Sequence, residues 1–245
     1  MICESKIAVM QKKTKVALIT IGSIIALGVI AAIAVPPIYS NFVSRNAADR
    51  PSVTASSGDS SSEGSSSDSG SDYAGTWNIK TGSEAGYRLN EVLNGTDVVV
   101  TGRTSDVTGT LTIDDDNKTL SAAEIEVDVT TIKTDNDRRD NYFRTNTVNT
   151  AENPKGTFKL TKPVTLKEEL TGSAVVTAEV TGDLTLNGVT KEVTLNVDVA
   201  KKGSNIQVAG VIPITFADYN IEAPSLGFVS VEPTGDVEFQ LLANK

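Results

Sequence analysis

Residues 75–245 of this 245-residue chain predict an all-β domain of antiparallel strands, closed as a barrel or stacked as a sandwich. Three observations predict it. Apolar and polar residues alternate in one run after another, the period of a strand with one buried face. Short clusters rich in Asn, Asp, Gly and Lys separate the runs and read as turns. After residue 35, no useful helical period appears except around 137–146.

The sharpest element is a hairpin. Across 174–186 the apolar side carries Val176, Ala178, Val180, Leu184 and Leu186, while Thr177, Glu179, Thr181, Asp183 and Thr185 take the other phase. Beyond Asn187-Gly188 the phase reverses, with Val189, Val193, Leu195, Val197 and Val199 apolar. Asn-Gly suits a type I′ turn, which needs two positive φ angles. A two-residue loop at that pair sets Val180 opposite Leu195, Ala178 opposite Val197 and Val176 opposite Val199. Turn chemistry and side-chain period thus select one register.

The alternation returns in Ile206, Val208, Gly210, Ile212, Ile214 and Phe216, then in Val237, Phe239 and Leu241. Earlier runs are Val107, Gly109, Leu111 and Ile113; Ala123, Ile125, Val127 and Val129; and Phe158 with Leu160. Strands near 76–80 and 87–92 bring the total to eight or more. "IDDDNKT" and "KKGSN" supply turns between them. A barrel of about eight strands is just wide enough to be filled by side chains or to hold one small ligand. On the best-defined strands the inward residues are small aliphatics and glycine, with Phe216 the one ring. A filled aliphatic core and a cavity are both open readings. A cavity would be lined by Val176, Ala178, Val180, Leu184, Val193, Leu195, Val197, Ile206, Val208, Ile212, Ile214 and Phe216.

Ahead of this domain, residues 16–35 read "VALITIGSIIALGVIAAIAV", uncharged and about as long as a bilayer-spanning helix. Lys6, Lys12, Lys13 and Lys15 precede it, which predicts a cytoplasmic tail at 1–15 and everything after the run outside the cell membrane. A cleaved secretory signal ending near Ala32-Ile33-Ala34 is the alternative, although the run exceeds the usual apolar region of such signals. Cys3, the sole cysteine, precedes the run, so the exported part has no disulfide to hold it. Residues 36–74, dominated by Ser, Gly and Asp, predict a disordered tether with a reach on the order of 35 Å.

Charge and residue inventory exclude several functions. With +3 in the first 35 residues and −9 overall, the remainder carries −12. That repels phosphate backbones and argues against both nucleic-acid binding and broad adhesion to anionic lipid. The chain has no histidine and no nucleophile with a paired base, while Glu179, Asp183, Glu192 and Asp198 fall on outward phases. A non-enzymatic protein without a cofactor is expected. Asp114-Asp115-Asp116-Asn117 offers oxygen ligands but not the spacing of a calcium loop, and reads equally as an acidic turn. Asn94-Gly95-Thr96 and Asn117-Lys118-Thr119 fit the glycosylation pattern and also read as turns.

Four blocks carry a family resemblance. "TGDLTLNGVTKEVTL" at 181–195, "TTIKTDNDRRDNYFRT" at 130–145, "GTWNIKTGSEAGYRLNEVLNG" at 75–95 and "NPKGTFKLT" at 153–161 stand in order and suitably spaced. Together, over about 75–243, they resemble the YceI-like family in its membrane-anchored actinobacterial form. The resemblance implies an antiparallel eight-stranded lipocalin-like barrel with a short helical insertion, no catalytic residues, and an isoprenoid or other long-chain amphiphile bound inside. Two positions depart from the family pattern: Val148-Asn149 stand where a Phe pair is frequent, and Asn187 stands where many members have His. At the barrel mouth, Arg138, Arg139, Asp140 and Arg144 either grip a ligand headgroup or fix the helical segment by local ion pairs. Lys191, inward by register, either snorkels out of the barrel end or sits beside a headgroup.

Overall fold

The structure is a computed structural model that describes residues 47–54, 73–168, 170 and 174–245. The apolar run at 16–35, the basic tail, Cys3 and most of the Ser-rich stretch lie outside the described residues. Among the described residues no helix is long and apolar enough to cross a membrane.

Among the described residues, eleven strands form one antiparallel sheet. They are β1 (Gly75–Ile79), β2 (Glu84–Leu93), β3 (Thr96–Thr104), β4 (Val107–Ile113), β5 (Thr119–Asp128), β6 (Lys155–Leu160), β7 (Val164–Thr165), β8 (Val175–Leu186), β9 (Val189–Lys202), β10 (Asn205–Thr215) and β11 (Val229–Asn244). Strand β1 pairs with β4 on one side and with the end of β11 on the other. This closes a ring of eight, β1-β4-β5-β6-β8-β9-β10-β11, and β7 adds a short pairing with β5. The β2–β3 hairpin continues the wall alongside β11.

The predicted hairpin is β8–β9, in the register its sequence demands: Val180 pairs with Leu195, Ala178 with Val197 and Val176 with Val199. Asn187 and Gly188 take φ of 48° and 73°. The remaining predicted strands also form. Their larger number comes from breaks in two long strands, at 80–83 and 105–106. At the first break Ser83 is fully buried. Its Oγ donates to the Lys80 carbonyl at 2.8 Å and accepts from the Leu242 amide at 2.9 Å, so one hydroxyl serves the backbone groups that the kink takes out of the ladder.

The two ends of the barrel differ. At one, Tyr73, Trp77 and Leu170 form a plug within the main core cluster. The Tyr73 hydroxyl donates to the Leu170 carbonyl at 2.6 Å, and the Trp77 indole N–H to the Tyr73 carbonyl at 2.8 Å. At the other end, residues 129–154 leave the wall between β5 and β6. They contain a short α-helix, α1 (Asp137–Tyr142), continued by one π-helical turn over Phe143–Thr147. Asn136 caps α1 by accepting from the Arg138 and Arg139 amides, at 2.9 and 3.4 Å. The helical segment anticipated at 137–146 is this one.

One expectation is revised. Residues 47–54 fall within the stretch read as disordered tether, yet they cross the outer wall as a strap. The Ala48 amide donates to Thr101 Oγ1 (2.9 Å), and the Arg88 guanidinium donates to the Ala48 carbonyl. Arg50 pairs with Asp236 (2.9 Å) and Glu238 (3.2 Å), and the Thr54 amide donates to Gln207 Oε1 (3.3 Å). Beneath the strap, Glu238 is 0% exposed and also holds Arg88 (2.7 Å) and Arg103. A carboxylate buried on a barrel wall needs such partners, because desolvating it unpaired costs several kcal/mol.

Candidate binding cavity

The barrel is hollow. A cavity of about 740 Å³ runs between the sheet walls, within the range of small-molecule sites. It is lined mainly by Val, Leu, Ile, Ala and Phe side chains. Val231 and Leu241 both face it. They are ten residues apart on β11, roughly 33 Å along the strand, or about 25 Å along the barrel axis at the usual tilt. The cavity is therefore long enough for an extended hydrocarbon chain.

Small inward residues open the space, and glycines keep it open despite several rings. A Cβ added at Gly182 would stand 2.4 Å from Phe158 Cζ, at Gly210 2.5 Å from Phe239 Cζ, and at Gly102 2.6 Å from Tyr87 Cε1. Each ring lies flat in a bare stretch of neighbouring strand instead of projecting into the lumen. The predicted lining residues all face the cavity except Val176 and Val193. Val176 lies toward the plugged end, in the cluster with Tyr73, Trp77 and Leu170. Val193 pairs with Gly182, the glycine under the Phe158 ring, and packs half-buried against the core.

The mouth lies at the end with the helical insertion. There Tyr87 and Phe143 stack with centroids 5.3 Å apart, and Val129, Ile132 and Val148 pack around them. Val148, which replaces a frequent Phe, thus still supplies apolar wall. Burial, opposed mainly by Arg139, pushes the Tyr87 phenol well above its usual pKa and keeps it neutral. Arg139 borders the cavity but is committed to carboxylates, Glu91 at 3.0 Å and Asp135 at 2.7 Å. Its burial disfavours the charge, yet those two carboxylates outweigh it and raise the pKa. Asp140 is 2% exposed and accepts from the Thr134 amide (2.9 Å) and hydroxyl (2.7 Å). Both residues brace the insertion. Lys191 reaches out of the barrel to Asp218 at 2.7 Å and does not line the cavity.

The turn candidates resolve as turns. Asp116 accepts from the Lys118 and Thr119 amides and the Thr119 hydroxyl, which holds its carboxyl below the usual range. Asn117 Oδ1 accepts from the Tyr73 and Ala74 amides, each at 2.7 Å. Asn187 does more than turn the chain: its side chain donates to the Tyr219 and Asn220 carbonyls and accepts from Asn153. Among the described residues no group of three or more His, Cys, Asp or Glu is placed to hold a metal.

Sequence reasoning missed the outer rim. Pro224 to Val231 forms a tight hairpin whose tip, Leu226-Gly227-Phe228, borders the cavity. Leu226 is 50% exposed and Phe228 60%. These residues follow no period, so alternation had nothing to find.

Comparison with known proteins agrees with this architecture. A family profile described as the YceI-like domain matches residues 77–243. Protein YceI of Escherichia coli is 34% identical over 105 residues, 42% of this chain and 51% of that protein. The chain thus matches about half the length of such curated relatives. A polyisoprenoid-binding domain from Saccharophagus degradans, implicated in plant cell wall breakdown, superposes with a TM-score of 0.54 at 18% identity. That superposition covers 69% of this chain and 97% of that one. BcnA of Burkholderia cenocepacia gives a TM-score of 0.51 at 18% identity, over 65% and 95% of the two chains. Both likenesses are of fold.

Proposed function

Because the chain belongs to the YceI-like family, and because its barrel encloses a long apolar cavity, we propose that it binds and carries an isoprenoid or other long-chain amphiphilic lipid inside the barrel. The cavity is the observation that carries the reading. The polyisoprenoid-binding Saccharophagus domain, which shares the fold, supports it. Each methylene moved from water into such a lining gains about 0.8 kcal/mol, so affinity grows with chain length while discrimination among chain types stays modest. The lining residues act as solvent for the chain and no residue acts as a catalyst. Arg138, exposed at the cavity edge, offers a cation to a polar head.

In this reading residues 16–35 anchor the protein as a single span, with residues 1–15 cytoplasmic and the barrel outside. The rival reading, a surface module working through its outer face, needs a filled interior, and the cavity volume is the observation against it.

Val180→Trp tests the proposal. Val180 faces the cavity from mid-strand, and an indole there occupies the lumen. The variant is expected to fold, by circular dichroism and melting, and to lose retention of a radiolabelled long-chain isoprenoid alcohol. Undiminished retention would place the site elsewhere.

A further inference from the structure

The exposed apolar residues are not scattered. Among the described residues the large exposed hydrophobics are Val92, Val175, Leu226 and Phe228; Leu226 and Phe228 border the cavity mouth, and Val92 pairs with Ser230 beside them on the outward phase of β2. Leu226 and Phe228 sit on either side of Gly227, whose φ of +77° makes the tight tip. The tip is braced: the Leu226 amide donates to the Val229 carbonyl at 2.8 Å, and the Asn94 amide donates to the Phe228 carbonyl at 2.8 Å. This second bond fixes the tip against the β2–β3 turn, two residues from Val92. Oily side chains held outward at the rim of an oily cavity mark a surface that meets something apolar.

The strap indicates what that is. Its N-terminal end, Ala48, is held at Thr101 in the middle of β3, and its C-terminal end, Thr54, at Gln207 beside the plugged-end turn of β10. Followed backward toward residue 47, the strap therefore leads to the mouth. From Thr101 to the mouth end of β3 is five residues, roughly 17 Å. Residues 36–46, eleven in number, separate the strap from the apolar run, and a chain of that length reaches at most about 40 Å.

We propose that the barrel stands mouth-down on the lipid bilayer, with Leu226 and Phe228 dipping into it, so that a chain passes between membrane and cavity without crossing water. This rests on the reading of residues 16–35 as a membrane span. Arg138 stands exposed at the cavity edge, and the main driving force for docking is apolar insertion.

The test uses the full chain reconstituted in phosphatidylcholine vesicles containing lipids brominated along their acyl chains. Trp77, the sole tryptophan, is buried at the plugged end and serves as the internal dry control. Phe228→Trp adds a reporter at the rim. The inference requires that this variant float with the vesicles, and that the emission it adds be blue-shifted and largely quenched by bromine, while the wild-type Trp77 signal is unchanged. A chain that fails to float overturns both the anchor and the docking. A chain that floats with an unquenched rim tryptophan overturns the docking and leaves the anchor standing. A blue shift without quenching that grows with protein density means that a second copy covers the rim, and also overturns it.

Discussion

Gly210 and Phe239 show how a barrel can contain large rings and still be hollow. They are direct partners across β10 and β11, and the ring fills the place where a side chain at 210 would begin. Gly210→Ala sets a methyl 2.5 Å from Phe239 Cζ and so pushes the ring toward the lumen it borders. We expect a stability loss of about 1–3 kcal/mol by urea titration, as for overpacked cores, with weaker retention of a long-chain lipid. A variant with unchanged retention would mean that the ring does not bound the site. Arg139 and Glu91 make a different residue-scale prediction. Glu91 is 5% exposed, so Arg139→Ala strands a buried carboxylate and is expected to cost about 3–5 kcal/mol, while replacing both residues by Met recovers most of that loss. A headgroup clamp behaves otherwise: lipid retention falls in both variants with little change in stability. All but two of the positions that alternation marked as lining face the cavity, but alternation does not encode which residue a ring leans on. That information lies in Gly–aromatic pairing across strands, which becomes visible only once the register is known.

Elements differ in how far they can be read from the chain. The β8–β9 hairpin was legible because an Asn-Gly turn and two opposed phases define one register, and every pair confirms it. Strand β10 contains Pro213, which an interior strand position would reject for want of an N–H. Its pairing with β9 covers only Asn205 to Gly210, so Pro213 lies beyond that ladder and faces no donor-requiring neighbour there. Pro233 similarly sits in the irregular stretch of β11 between Val231 and Gly235. The strap was illegible because its contacts are long-range and few: Arg50 finds Asp236 and Glu238 almost two hundred positions away, and nothing around it repeats. If residues 47–54 are held as the hydrogen bonds indicate, the Ala48 and Thr54 amides exchange with solvent deuterium more slowly than the amides of the neighbouring Ser-rich stretch. Exchange of both at unstructured-chain rates would return these residues to the tether.

For the molecule as a whole, the eight-stranded ring has one plugged end and one apolar mouth, and the cavity between them is what a long lipid would occupy. The fold was readable from period and turns, with the family blocks narrowing barrel or sandwich to barrel. Hollowness was not readable, since the same small aliphatic residues serve a filled core and a lined cavity, and only the positions of walls relative to one another distinguish them. The measurement that bears most directly on the central claim is organic-solvent extraction of the purified full chain, with mass spectrometry of the extract and of the gently desolvated protein. The account predicts a long-chain lipid, stoichiometric with the wild-type chain and absent from Val180→Trp. A wild-type protein that flies bare, yields no such lipid and takes up none when long-chain isoprenoids are supplied would contradict it.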